Sequence, residues 1–203
     1  MELNRLKLLD NGIAGILAII IFCIFTFTAV ALFPAGYTPV NNWLSDLGNL
    51  NLNPNGLIFF NIGCILTGLL LFPFFFGLRK WYTTEKRQKN LIVAAQIIGF
   101  FSAFALIMVG VFPEDTGVKH AIAACSFFIA LLLVLITANI SLLMHPNFKK
   151  WVGYYGFFAA LIDLILVILI AVPNNLPTPL VEWLAVFISL SWIGLLVYNM
   201  MTF

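Results

Sequence analysis

One run gathers the residues best able to do chemistry: Asn41-Asn42-Trp43-Leu44-Ser45-Asp46-Leu47-Gly48-Asn49. A second polar group follows far downstream, where Phe112-Pro113-Glu114-Asp115-Thr116-Gly117 leads into Lys119 and His120. A carboxylate that orients an imidazole makes a general acid-base pair, and Ser45 is a candidate nucleophile beside it. If Ser45, Asp46, Asp115 and His120 converge, they are the candidate catalytic set. Asn42, Trp43, Asn49 and Glu114 would then be the ligand-binding rim. The same residues could hold a lipid headgroup without chemistry, or hold a divalent cation that activates water. One histidine is few for zinc, and no His-x-x-x-His or Cys-x-x-Cys spacing occurs, so no metal site is assigned and the cofactor stays open. The plainer readings are that Ser45 and Asp46 solvate a loop, that Asp115 or Thr116 caps the following helix, and that Glu114 faces water.

The elements that must position these residues lie in a membrane. The chain is 63% hydrophobic and 9% charged, with a mean hydropathy of +1.07. A water-soluble fold could not cover that much apolar surface. A helix needs about 20 apolar residues to cross the hydrocarbon core. Six such runs are predicted, at 11–33, 56–78, 91–112, 118–144, 151–172 and 180–202. The apolar residues run all round rather than alternating, which argues for helices and against a barrel. The expected architecture is an all-α, six-helix up-and-down transmembrane bundle forming one domain over 1–203. Ala29-Val30-Ala31 resembles a signal cleavage site, but the first apolar run is too long for a signal core, so a retained helix is expected.

Basic residues set the expected orientation. Arg5, Lys7, Arg79, Lys80, Lys86, Arg87, Lys89, Lys149 and Lys150 share one side, and Lys119 alone lies opposite. The shared side is read as cytoplasmic, together with both termini, in a plasma or bacterial inner membrane. Trp81, Tyr82, Trp151, Tyr154, Tyr155 and Tyr198 are expected at the inner interface; Tyr37, Trp43 and Trp183 at the outer. Basic residues split among short loops imply no nucleic-acid partner. The outer face carries Asp46, Glu114, Asp115 and Glu182 against Lys119 and His120, so a neutral, zwitterionic, sugar-bearing or cation-bridged ligand fits better than a bare phosphate. Membrane lipids are the expected partners.

Connections are short except the first outer one, Pro34 to Asn55, which holds 22 residues. A Pro-rich turn is expected from Pro173 to Pro179. Within the long loop, Trp43, Leu44, Leu47 and Leu50 recur at helical spacing, with Asn42, Ser45, Asp46 and Asn49 on the complementary stripe. That predicts a short amphipathic helix in the interface, capped by Asn41 or Asn42 and ended by Gly48. His120 is expected to point inward, because Ala123 and Ala124 share its face. Asp163 is an intramembrane acid and a functional candidate by position. Thr67, Ser102, Ser189 and Ser191 fall at its depth as hydrogen-bond partners for a neutral acid, and a proton or cation relay is the competing role. Gln96 and Asn139 read as interhelical glue, His145 as a solvated turn residue, and Cys23, Cys64 and Cys125 as packing.

Trp43-Leu44-Ser45-Asp46-Leu47-Gly48, with Pro54, Phe59, Gly110-Val111-Phe112-Pro113-Glu114, His120, Ala124 and Phe128, resembles the membrane family called domain of unknown function 998. The chain is more distantly similar to the eukaryotic six-span family of glycosylphosphatidylinositol-anchor remodelling proteins and damage-regulated autophagy modulators. Those share an Ile-Ser-Asp-x-Gly run, a later Pro and a later His. Leu44 replaces the common Ile, and Leu47 replaces a Thr of the eukaryotic group, removing a hydroxyl. The resemblance marks Ser45, Asp46, Gly48, Pro54 and His120 as signature positions and implies a six-helix bundle with an outward polar pocket linked to lipids. The functions it leaves open are remodelling of a lipid ester, as a hydrolase would do, lipid binding or sensing without chemistry, and proton- or cation-coupled transport through Asp163.

Overall fold

The computed structural model describes residues 2–34, 36–172 and 178–202, with side chains from Gly12 onward. Six long helices carry the chain: α1 (Glu2–Ala31), α2 (Leu57–Gly77), α3 (Lys86–Val111), α4 (Val118–Met144), α5 (Lys150–Ala171) and α6 (Thr178–Met201). All six have stretches long and apolar enough to cross a membrane, and no strand occurs among the described residues. This is an integral, multi-pass membrane protein. The side chains of Arg5 and Lys7 lie outside the described residues. So does most of the turn expected from Pro173 to Pro179, since α6 already begins at Thr178.

The helices form a ring. Each packs on its sequence neighbours and α6 returns to α1, so the bundle has a centre that no helix fills. α2 and α3 approach closely because small residues line their seam. A Cβ on Gly110 would fall on the Asn61 carbonyl oxygen, and one on Gly68 would lie 2.7 Å from the Ala103 carbonyl oxygen. The α6–α1 seam is the sparsest, and aromatic rings fill it. Trp183 and Phe187 stack at 5.1 Å, with Phe27 5.9 Å and Phe22 6.1 Å from Phe187. The exposed faces of the ring are Ile, Leu, Phe and Val, as a lipid-facing surface requires.

The end of the bundle that carries Arg79, Lys80, Lys149 and Lys150 is stapled by polar groups, and one expectation is corrected there. His145 is buried rather than solvated, packed beside the wholly buried Trp81. The His145 ring stands edge-on to Trp81 at 5.1 Å, and Phe148 stands edge-on to the same indole at 5.2 Å. The His145 Nδ1 accepts the Asn147 N–H at 3.2 Å. Burial, with Lys150 beside it, pushes the His145 imidazole below its usual value. Gln88 donates to the Trp81 carbonyl at 2.8 Å, and Ser141 donates back to the Gln88 carbonyl at 2.8 Å.

Gln96 and Asn139 both join helices, through different partners. Gln96 donates to the Phe75 and Phe76 carbonyls, each at 3.0 Å, at the end of α2, beside the Leu78 N–H that the same carbonyls accept. Asn139 accepts from the Trp192 indole at 3.1 Å. The three cysteines form no disulfide, and Cys125 is exposed rather than packed.

The α2–α3 seam generates a stability test. Gly110→Val forces α2 and α3 apart and should destabilise the bundle by about 2 kcal/mol, in the range of overpacked cores. Scanning fluorimetry in detergent should show a lower Tm; an unchanged Tm would mean the seam is looser than the contacts indicate.

Candidate functional site

The long loop does not form the predicted amphipathic helix. Of residues 41–49, only Ser45–Gly48 are helical, as one 3-10 turn. Neither Asn41 nor Asn42 caps it: Leu44 is the N-cap, with no side-chain hydrogen bond, and the turn closes at Asn49. The reason is tertiary. Leu44 and Leu47 both point into the bundle and are buried, while Leu50 is exposed, so the apolar stripe is broken where the chain turns away.

The loop is held across one end of the ring by side chains that satisfy its backbone. Glu182 Oε2 accepts the Leu44 N–H at 2.6 Å. Asn53, wholly buried, donates to the Leu47 carbonyl at 3.0 Å and to the Ala29 carbonyl of α1 at 3.1 Å, and accepts the Gly56 N–H at 3.2 Å. Asn61 of α2 donates to the Gly48 carbonyl at 3.2 Å. A Cβ on Gly48 would strike the Asn61 amide, so this position needs glycine for close approach. The Tyr37 hydroxyl donates to the Trp43 carbonyl at 2.7 Å and accepts the Trp183 indole N–H at 2.7 Å.

The expected site residues divide. Ser45 and His120 line the central cavity beneath the loop; Asp46 does not. Asp46 braces the loop instead, accepting the Trp43 N–H at 2.9 Å and the Asn42 amide at 3.5 Å. Asn49 donates to Glu114, tying the loop to the turn after α3. Asp115 is exposed and joins no cluster with Ser45 or His120, and helix α4 is capped by Gly117 at φ +63° rather than by Asp115 or Thr116. Among the described residues, no group of three His, Cys, Asp or Glu could hold a metal ion.

His120 is turned inward, as its small-residue face predicted, and is buried. Its Nδ1 lies 2.8 Å from the Phe112 carbonyl at the end of α3. A carbonyl only accepts, so Nδ1 carries the hydrogen, and in the neutral ring Nε2 is left as the base.

Glu182 completes this end. It is buried and lines the cavity with Ser45 and His120. By sequence Glu182 stands only among the loop-side acids. Its signal is an acid two residues inside the predicted run at 180–202, the same argument that singles out Asp163.

Below these three groups the cavity runs into the bundle. Its volume is about 70 Å³, room for about five waters or one slender chain. Its walls come from α1, α2, α3, α4, α6 and the loop, and they are mainly Phe, Leu, Val and Ile. Among the described residues, no Lys or Arg lines it. Lys119 is exposed at the rim, 5.9 Å above the Phe112 ring.

Asp163 belongs to a separate place. It is wholly buried on α5 and does not line the cavity. Neither carboxyl oxygen has a hydrogen-bond partner among the described residues, so the expected bonds to Thr67, Ser102, Ser189 or Ser191 are not made. Ser191 is exposed, paired with Tyr155 at 2.6 Å.

These features define a class: a six-helix membrane ring with an apolar central cavity, closed at one end by a hydrogen-bonded loop that brings polar groups to the cavity. The chain belongs to the family described as proteins of unknown function, DUF998, which it matches over residues 16–199. No curated protein and no solved structure matches it.

Two tests follow from the loop. Asn53→Leu leaves three backbone groups without their partner, at about 1–3 kcal/mol for each that stays buried. Amide hydrogen exchange at 44–49 should accelerate at least tenfold, and unchanged exchange would show that Asn53 does not hold the loop.

The second concerns Asp46, whose carboxyl is pushed above the usual carboxylate value by burial and then by Glu114, against the stabilising N–H groups of Asn42 and Trp43. A raised native value means the folded loop binds the proton more tightly than the unfolded chain. Stability should therefore fall as pH rises from the usual carboxylate value to the raised one, and level off above it. Asp46→Asn should flatten that slope; a wild-type profile that rises across the same window would contradict the assignment.

Proposed function

We propose that this protein binds a membrane lipid, with an acyl chain in the central cavity and the headgroup at Ser45, His120 and Glu182. One observation carries the reading: the walls of the cavity are mainly apolar and its loop end carries Ser45, His120 and Glu182, as an amphipathic chain requires. The headgroup is neutral or zwitterionic, because among the described residues no Lys or Arg lines the cavity, and Asp46 and Glu114 stand in the adjoining loop and turn. The basic residues at the opposite end give the orientation: the Arg79–Lys80 end is cytoplasmic and the loop faces outward, in a plasma or bacterial inner membrane.

A second reading, cleavage or transfer of a lipid ester, is favoured by the fixed hydrogen on His120 Nδ1. In it His120 Nε2 takes the Ser45 proton, Ser45 Oγ attacks the ester carbonyl, and the alcohol leaves with that proton. Asp46 and Asp115 have no part in the step: one braces the loop and the other is exposed. Glu182 positions Ser45 through its bond to the Leu44 N–H.

Native mass spectrometry of protein purified in mild detergent tests the binding reading. A neutral or zwitterionic lipid should be retained by the wild type and lost in Ala124→Phe, which fills the cavity wall. Retention of the same lipid by both would remove the cavity from the argument. A lipid time course with Ser45→Ala and His120→Ala tests the ester chemistry. Turnover by wild type alone would support it, and its absence in wild type would leave binding as the function.

A further inference from the structure

Thr67, Ser102 and Ser189 come from α2, α3 and α6, and all three line the cavity. Counted from Leu57, Val111 and Thr178, they sit 10, 9 and 11 residues below the loop-side helix ends. At 1.5 Å per residue these converge on one level, about 15 Å down. Their exposures are 1%, 1% and 4%. Among the described residues, the Thr67 and Ser189 hydroxyls have no hydrogen-bond partner. That is unusual, because a hydroxyl inside a transmembrane helix can bond the carbonyl one turn back. Thr137 on α4 does so, at 2.6 Å to the Leu133 carbonyl. Two buried hydroxyls that forgo this bond, on residues that line a mainly apolar cavity, are available to a group that enters it, since an unmet buried polar group is otherwise a net cost.

We propose that this hydroxyl level is a second ligand subsite, recognising an oxygen function carried on the chain that the cavity holds. The inference rests on the lipid reading above and narrows it. Ser189 lies seven residues below Glu182 on the same helix, about 10 Å along it. A zigzag of carbon–carbon bonds of about 1.5 Å covers that span in roughly eight carbons. The ligand is therefore a lipid with a neutral or zwitterionic head and a hydroxyl, keto or ester oxygen near the ninth or tenth carbon. Hydroxyls both donate and accept, so a ligand hydroxyl can be met from either side.

The test is equilibrium binding of tritiated 1-(10-hydroxystearoyl)glycerol and 1-stearoylglycerol to the full chain in detergent micelles. The wild type should bind the hydroxylated lipid about fivefold more tightly, the worth of one net hydrogen bond. Thr67→Val with Ser189→Ala should erase that preference while binding 1-stearoylglycerol as before, and Thr67→Ser should keep it. Equal wild-type affinities would overturn the subsite and assign the hydroxyls to buried water alone. A preference that survives in the double variant would overturn it as well. Should that variant fail to fold, Ser189→Ala alone and the wild-type comparison still decide. If neither lipid binds the wild type, the lipid reading itself fails and the subsite goes with it.

Discussion

The loop across the ring depends on one constraint: backbone polar groups buried away from water must be paired. Residues 44–48 cover a cavity with apolar walls, so water cannot be relied on to serve their N–H and C=O groups. A 3-10 turn of four residues meets few of these demands internally. Glu182, Asn53, Asn61 and Tyr37 meet the rest. These four side chains reach the loop from α6, from the residues leading into α2, from α2 itself and from the loop's own beginning. The seated loop therefore ties α6 to α1 and α2.

That coupling explains why Ser45 sits where it does. It lies between Leu44, whose N–H is held by α6, and Leu47, whose carbonyl is held by Asn53. Its backbone is fixed on both sides while its side chain stays at the cavity. His120 is fixed by an equivalent economy, capping the end of α3 with one ring nitrogen and keeping the other for the cavity. Both residues are positioned by backbone contacts rather than by each other. Any ligand entering the cavity would meet two preset groups, which lowers the ordering cost of binding.

The polar groups of the bundle fall into three tiers with different physical roles. At the basic end, Gln88, Ser141 and His145 are satisfied by neighbours and serve packing. At the loop end, the polar groups are satisfied on one side and open to the cavity on the other. In the middle, the Thr67 and Ser189 hydroxyls have no partner among the described residues. Asp163, equally without a hydrogen-bond partner among the described residues, stands off the cavity.

Composition and run length by themselves determined the helices, because a span-long apolar run has few alternatives in a bilayer, and all six predicted runs correspond to α1–α6 within a few residues save at the N-terminal side of α1. The polar cluster between two of those runs and the small-residue face beside His120 marked Ser45 and His120, and both line the cavity. Helical periodicity misled at 41–49, since spacing reports which side chains share a face only if the chain stays helical, and the pull of Leu44 and Leu47 into the ring ended it after one turn. Tertiary structure alone decided that Asp46 braces while Glu182 faces the cavity, and that Asp115 is left in the open. It also decided that His145, a titratable group placed by residue type in solvent, is buried against Trp81. The physical reason is common to all of these: residue type gives the cost of burial, but which group is buried, and beside what, depends on how six helices close into a ring.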